Sequence, residues 1–479
     1  MPARRGEEYI AGLKDDRQVW MDGERIADVT THPKLRRGIE TVASLYDLQW
    51  SPEFQEAMTY PSPTSGDLVG MSHIEPRSRE DIIARDRMIK LWADATYGMM
   101  GRSPDFLNVV VMAFAANSDF FAEIDPRCGE NIVRYYHQVR ENDLCLTHTL
   151  LNMRVSRSRD VSQLDQRDIA LRKVGENSEG IIVQGARMLA TLAPASDDIA
   201  VYPYAPLPDD EDSAALVFSI PVASPGLTFI CREGFDYGSS HFDAPLSSRL
   251  EEMDCVAIFD DVLVPWERVF SHGSAKHYNA LRDRTGFGAH AGQQVNVRNI
   301  AKCEFILGVA QLMTEAMGSQ SLLHVQERMG ELVTYLETIK ACVRAAEADA
   351  APGPGGIWYP APDPVACVRN LFPKWYPRMV ELLQLLGSGS YMMIPSEADV
   401  SGPLSPLIDR YYQGEGMPAA DRIRLFRLAW DLVGSAMGSR QELYERFFSG
   451  DPVRNLATRY LRYDTSHAVS QVRRLMDEP

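Results

Sequence analysis

Two short segments carry residues whose types and spacing suit chemistry on a weak acid. The first is GRSPDF, Gly101 to Phe106. Ser103, Pro104 and Asp105 mark a helix start: a hydroxyl cap, a proline at the first helical position and a carboxylate in the first turn. Arg102 then stands just outside a helix N-terminus. There a guanidinium and free backbone N–H groups converge on a small anion such as a phenolate or carboxylate. The structural alternative is an arginine that pairs with a neighbouring lobe. The second segment is RENDLCLTHTLLNMRVSRS, Arg140 to Ser158. His148, flanked by Leu146 and Leu150, has a near-neutral pKa suited to a general base for a weakly acidic hydroxyl. A hydrogen-bonded core histidine fits the same pattern. Arg154, Ser156 and Arg157 offer two cations and a hydroxyl to a pyrophosphate, or form a solvated basic turn.

Three further stretches are less specific. GIIVQGARMLATLAP, Gly180 to Pro194, reads as a hairpin whose second strand ends at Thr191, a good strand former whose hydroxyl could also donate to a cofactor ring edge. SGDPVRN, Ser449 to Asn455, is a glycine-containing turn that could lay backbone amides against a cofactor or simply stop a helix. GSGS, Gly387 to Ser390, has the same two readings. The seven cysteines include no C-x-x-C pair, and none of the ten histidines lies beside a cysteine at a recognised ligand spacing. No metal is expected. No G-x-G-x-x-G follows a strand and no P-loop occurs, so a nucleotide cofactor must be held another way.

The elements that must position these residues follow from periodicity. Apolar residues recur at three and four residue spacing over Ser78 to Met99 and Ser103 to Asn117, and a helical N-terminal domain over 1–150 is expected. Short apolar runs punctuated by Gly, Pro and Asp then predict a central β-barrel domain over 151–275. The helical period returns in Val297 to Met317, Leu322 to Ala350, Pro373 to Leu386 and Ala419 to Phe448, giving a C-terminal helical bundle over 276–479. Ala351 to Pro364, rich in Pro and Gly, reads as a flexible surface loop. The class is α+β. A net charge of -17 disfavours nucleic acid as a partner. The start MPARRGEEYI has no apolar h-region and no stretch is long enough to span a bilayer, so no membrane association and a cytoplasmic location are expected.

Taken in order, EEYIAGLKDDRQVWMDGERIADVTTHP, GRSPDF, RENDLCLTHTL, GARMLATLAP, EEMDCVAIFDDVLVPWERVF, NVRNIAKCEFILGVAQ and SGDPVR resemble the 4-hydroxyphenylacetate 3-monooxygenase family, the large components of flavin-dependent aromatic hydroxylases. The resemblance runs nearly end to end. It implies an acyl-CoA-dehydrogenase-like fold, a homotetramer, and use of molecular oxygen with reduced FAD delivered by a separate NAD(P)H-dependent flavin reductase. It implies hydroxylation of a phenol ortho to its hydroxyl through a flavin hydroperoxide. The phenol could be free, chlorinated, or a tyrosine-type group tethered to a carrier protein.

By this resemblance Arg102 and His148 are catalytic and hold the phenol, with Tyr202 and Pro203 in a loop that closes over it and His290 nearby. His148, Thr149 and Leu150, then Arg154, Val155, Ser156 and Arg157, Thr191, and Gly450, Asp451, Pro452 and Val453 would hold FAD. One position departs from the family pattern, which has a tyrosine where this chain has Phe106. Phe106 can pack on a ring but has no hydrogen bond to offer. The rival within the fold is a 4-hydroxybutyryl-CoA dehydratase with an iron-sulfur cluster, whose cysteine pair would fall at Arg102 to Phe106, where this chain has none. A non-catalytic member of the fold is the other alternative.

Overall fold

In the computed structural model, which describes residues 3–153, 169–203 and 205–477, the helix Arg79–Ala95 starts where its sequence says it should. Ser78 accepts from the Asp81 amide while the Asp81 carboxylate accepts from the Ser78 amide, so two end groups of the helix are satisfied reciprocally. Ile82, Met88, Ile89 and Trp92 form its buried face. The chain then turns through Gly98, at a φ of +67, where a Cβ would come within 2.6 Å of the Lys302 amide nitrogen. Only glycine lets this turn lie against the Phe287–Ala316 helix. The next helix is Asp105–Ala116, with Pro104 already in helical dihedrals, so Ser103 occupies the cap position.

The β region consists of two sheets. In the larger, Glu24–Ile26, Gln18–Met21, Leu227–Cys231, Asp254–Pro265 and Gly180–Thr191 are neighbours in that order, and both Leu151–Asn152 and Arg172–Glu176 pair with Gly180–Thr191. The smaller runs Val269–His272, Leu216–Pro221, Asp198–Val201, Leu146–Thr149. A barrel needs a continuous hydrogen-bonded ladder. Among the described residues none closes either sheet, because the outer strands Glu24–Ile26 and Leu151–Asn152 are three and two residues long. The expected barrel is thus a pair of open sheets. The expected hairpin at Gly180 to Pro194 is also different: Gly180–Thr191 is one twelve-residue strand. Gly185, at a φ of +121, opposes a register shift at Phe259/Val262 and bends the strand instead of reversing it. The N-terminal Gln18–Met21 strand pairs in parallel with Leu227–Cys231, which fastens the first residues of the chain to the central sheet.

The thirty-residue helix Phe287–Ala316 packs against Arg79–Ala95, Asp105–Ala116, Leu323–Ala348 and Pro362–Gly387. Enclosed on several sides, it buries Gln293, Gln294, Asn296, Arg298 and Lys302 as well as apolar residues. The period expected over Ala419 to Phe448 breaks at Gly434 into Ala419–Val433 and Ala436–Phe447. Ala351 to Pro364 is an ordered strap with a two-stranded pairing of Ala351–Pro352 and Trp358–Tyr359. Ile357 is buried, and the Tyr359 hydroxyl donates to the Thr285 carbonyl at 3.0 Å. Among the described residues no helix is long and apolar enough to cross a membrane.

Glu445, on Ala436–Phe447, accepts from Lys302, from Arg298 Nη2 at 3.3 Å and from Gln441 Nε2 at 3.1 Å, all fully buried. Burial pushes the Lys302 ammonium down to about 8 against the pull of Glu445, so it is charged at neutral pH. Glu445→Ala leaves two buried cations without their carboxylate and is expected to cost about 3–5 kcal/mol in urea unfolding. A loss below about 1 kcal/mol would mean that this cluster behaves as a solvated surface pair.

Candidate functional site

Arg102 is held from three directions. Its amide donates to Glu252 Oε1 at 2.6 Å, and its Nη1 donates to the Gly101 carbonyl at 2.9 Å and to the Tyr444 hydroxyl at 2.5 Å. Gly101 is required there because a Cβ would meet the Tyr444 hydroxyl at 2.1 Å. The guanidinium carbon lies 4.3 Å from the Phe106 ring centre, 5.5 Å from Tyr444 and 5.8 Å from Phe448. Arg102 is 5% exposed and its Nε has no partner. Among the described residues no carboxylate reaches ion-pair distance of this guanidinium. Aromatic faces compensate only part of the cost of burying a cation, so its field is available to an anion.

His148 is presented by the Leu146–Thr149 strand, in register with Ala200 of Asp198–Val201. Its Nδ1 lies 2.8 Å from the Tyr202 hydroxyl, and its ring meets that of Phe106 edge-on at 5.6 Å. Arg187 donates to the carbonyls of Thr149, Leu150 and Tyr202 and so ties the two segments together. Burial, then the Arg102 charge, hold His148 well below its ordinary pKa, which keeps the imidazole neutral. Burial pushes the Tyr202 hydroxyl up, so it keeps its proton. Nδ1 is its one hydrogen-bond partner among the described residues, and a buried O–H with one partner donates to it. That bond assigns the histidine proton to Nε2.

Two cavities meet at these residues. The smaller, about 90 Å3, is lined by Phe106, Tyr202, Pro203, Arg282, Phe287 and Arg369 among others. The larger, about 320 Å3, is lined by Leu189, Thr191, Asp254, Arg440, Tyr444 and Phe447 among others. Arg102, His148, Leu150 and Phe448 line both and form the wall between them. In the larger cavity Asp254 accepts from Arg440 at 2.7 and 2.9 Å, from Arg232 at 2.9 Å and from the Thr191 hydroxyl at 2.7 Å. Burial alone would raise this carboxyl, but Arg440 and Arg232 hold it well below the usual carboxylate range. On the same lining, Leu189, Leu443 and Phe447 stand half or more exposed, and Leu189 takes a φ of +64 that is strained for a leucine. An apolar slot with one polar rim fits a flat heteroaromatic ring.

Several of the expected site residues are bonded elsewhere or lie away from the two cavities. The Thr191 hydroxyl donates to Asp254 and is not free to donate to a cofactor. Thr149 is buried, donates to the Met188 carbonyl at 3.1 Å, and lines neither cavity. His290 also lines neither: Phe287, Ala291 and Val295 face the smaller cavity, which turns His290 about 100° away around the helix. There it contacts Arg85 at 3.0 Å and Tyr359 at 4.6 Å. Gly450, Asp451, Pro452 and Val453 lie beyond both linings, where Asp451 caps the Pro452–Arg462 helix through the Val453 amide. Arg154, Val155, Ser156 and Arg157 lie outside the described residues. Arg440, Tyr444, Phe447 and Phe448 were not foreseen, although their spacing of four, three and one is that of a single helical face.

The sequence profile of the 4-hydroxyphenylacetate 3-hydroxylase N terminal matches residues 5–271, and that of its C terminal matches residues 278–477. The chain belongs to the 4-hydroxyphenylacetate 3-hydroxylase family. It is 44% identical over 477 residues to the 4-hydroxyphenylacetate 3-monooxygenase oxygenase component of Thermus thermophilus, covering 99% of this chain and 98% of that protein. The crystal structure of such an oxygenase component complexed with FAD and 4-hydroxyphenylacetate superposes with a TM-score of 0.95 at 44% identity, covering 99% and 98% of the two chains. An archaeal 4-hydroxybutyryl-CoA dehydratase from N. maritimus superposes at 0.89 with 21% identity over 99% and 95%, which shows a shared fold.

Because Phe448 belongs to both linings, Phe448→Ala is expected to weaken both FAD and a simple phenol used as a probe, each by roughly tenfold in equilibrium titrations. Loss of one affinity with the other intact would show that the cavities are independent.

Proposed function

We propose that this chain is the oxygenase component of a two-component monooxygenase that hydroxylates a phenol ortho to its hydroxyl, using molecular oxygen and reduced FAD from a separate NAD(P)H-dependent reductase. The observation that carries this reading is the unpaired Arg102 guanidinium beside His148, on the wall between a small aromatic-lined cavity and a larger slot. The phenol occupies the smaller cavity, whose volume favours a single ring. Arg282 and Arg369 add two basic side chains to its lining. The larger would hold FAD, with Leu189, Phe447, Asp254 and Arg440 among the residues that line it. Bound reduced flavin supplies two electrons and activates oxygen, so that one atom replaces a ring hydrogen and the other leaves as water.

The chain's own residues prepare the ring. A phenolate pushes far more electron density onto its ortho carbons than a phenol does, and Arg102 stabilises that anion in a site of low dielectric. His148, neutral and protonated on Nε2, donates to the same oxygen. Its expected role as a general base gives way to that of a donor, and the phenol gives up its proton to solvent as it binds. Phe106 supplies no hydrogen bond, so Arg102 and His148 carry the oxygen between them. Phe106, Phe287 and Phe448 surround the ring with apolar surface and exclude water from the wall. The helices Pro452–Arg462 and Ser466–Asp477 bury none of their residues and expose Leu456, Tyr460, Leu461, Val472 and Leu475, which supports an assembly of several copies, a homotetramer by the family resemblance.

His148→Ala is expected to lower product formation in a reductase-coupled assay roughly 10²-fold, the cost of removing one donor from a developing or resident oxyanion. His148→Gln, which keeps an N–H donor but cannot act as a base, is expected to recover a substantial part of that loss. If the glutamine variant is as inactive as the alanine variant, histidine is the base after all. Wild-type turnover in both would remove His148 from the site.

A further inference from the structure

Cys231 and Cys255 are directly opposed on the antiparallel strands Leu227–Cys231 and Asp254–Pro265. The neighbouring pair is hydrogen-bonded, Arg232 N to Asp254 O at 3.1 Å, which makes Cys231 and Cys255 the non-hydrogen-bonded pair of the ladder. In such a pair the Cα atoms lie about 4.5 Å apart, at the short end of the span a disulfide accepts. The two Sγ atoms are 3.4 Å apart, and both thiols are free. Cys231 is half-buried while Cys255 is 3% exposed. Each sits next to a residue of the larger cavity's ion cluster: Arg232 follows Cys231, Asp254 precedes Cys255, and those two side chains are bonded to one another. The Asp254 carboxylate in turn anchors Arg440 and Thr191.

We propose that this thiol pair is an oxidation site, closed to a disulfide by hydrogen peroxide, and that closure lowers affinity for FAD by moving Asp254. The Cys231 thiolate, the more accessible of the two, attacks one peroxide oxygen. The O–O bond breaks, water leaves, and the sulfur becomes a sulfenic acid. The Cys255 sulfur then displaces the second oxygen as water and forms the S–S bond. Two thiols have lost two electrons and one peroxide has become two waters. Burial and the adjacent Cys231 sulfur push the Cys255 thiol up, in keeping with its role as the resolving partner. Cys231 is half-buried, so the disulfide stays within reach of cellular thiols and the change is reversible. On the proposed function, peroxide arises whenever reduced flavin meets oxygen without a phenol in place, and the pair would then limit further flavin loading.

The full chain is treated with hydrogen peroxide, digested without reductant and analysed by mass spectrometry, and FAD affinity is titrated before and after. The expected result is a peptide pair joined through residues 231 and 255 and two hydrogens lighter. FAD binding is expected to be roughly tenfold weaker, with dithiothreitol restoring both. Cys231→Ser and, separately, Cys255→Ser should keep FAD affinity unchanged through the same treatment. Oxidation confined to the exposed Cys367, with no 231–255 link, overturns the proposal. So does a link that leaves FAD affinity unchanged. A chain that forms the link but never binds FAD would instead count against the proposed function.

Discussion

A guanidinium buried without a carboxylate is the constraint on which the site depends. Uncompensated, such a charge costs on the order of several kcal/mol, and much of the local architecture offsets that cost without neutralising it. Phe106, Tyr444 and Phe448 turn ring faces toward Arg102, the Tyr444 hydroxyl and the Gly101 carbonyl accept from it, and Glu252 takes its amide while staying out of ion-pair reach of its side chain. Gly98 and Gly101 allow this by letting the turn approach the Phe287–Ala316 helix and Tyr444 closely. The charge is left for a ligand to complete.

Behind that turn lies a buried ionic framework with the opposite property. Arg440 bridges Asp254 and Glu252, Arg298 and Lys302 share Glu445, and Arg232 joins Asp254 to Glu251. These pairs join the sheet strand that begins at Asp254 to the helices Phe287–Ala316 and Ala436–Phe447. They add rigidity more than net stability, since apolar replacements of such pairs are often as stable. Their value here is positional: they fix the lining of the larger cavity relative to Arg102.

Much of this was legible in the sequence where local chemistry decides the outcome. Ser103, Pro104 and Asp105 mark a helix start through backbone groups within three residues, and the structure places a helix there. Arg102, Phe106, His148, Tyr202 and Pro203 do converge on one cavity. What could not be read was anything set by distant partners. Periodicity tells that a helix has an apolar face but not that His290 lies off it, facing Arg85. A threonine at a strand end does not reveal that Asp254, sixty-three residues on, will take its hydroxyl. Gly185 looks like a hairpin turn until the bulged partner strand is present to bend with it. Arg440 was missed because an arginine on an ordinary helix becomes significant only once Asp254 faces it.

The wall shared by the two cavities is one side chain thick. Arg102, His148, Leu150 and Phe448 each present one side to the smaller cavity and another to the larger. A substitution in that partition reshapes both cavities at once. Phe106 lines the smaller cavity alone, so a substitution there reshapes one cavity and leaves the other lining as it is.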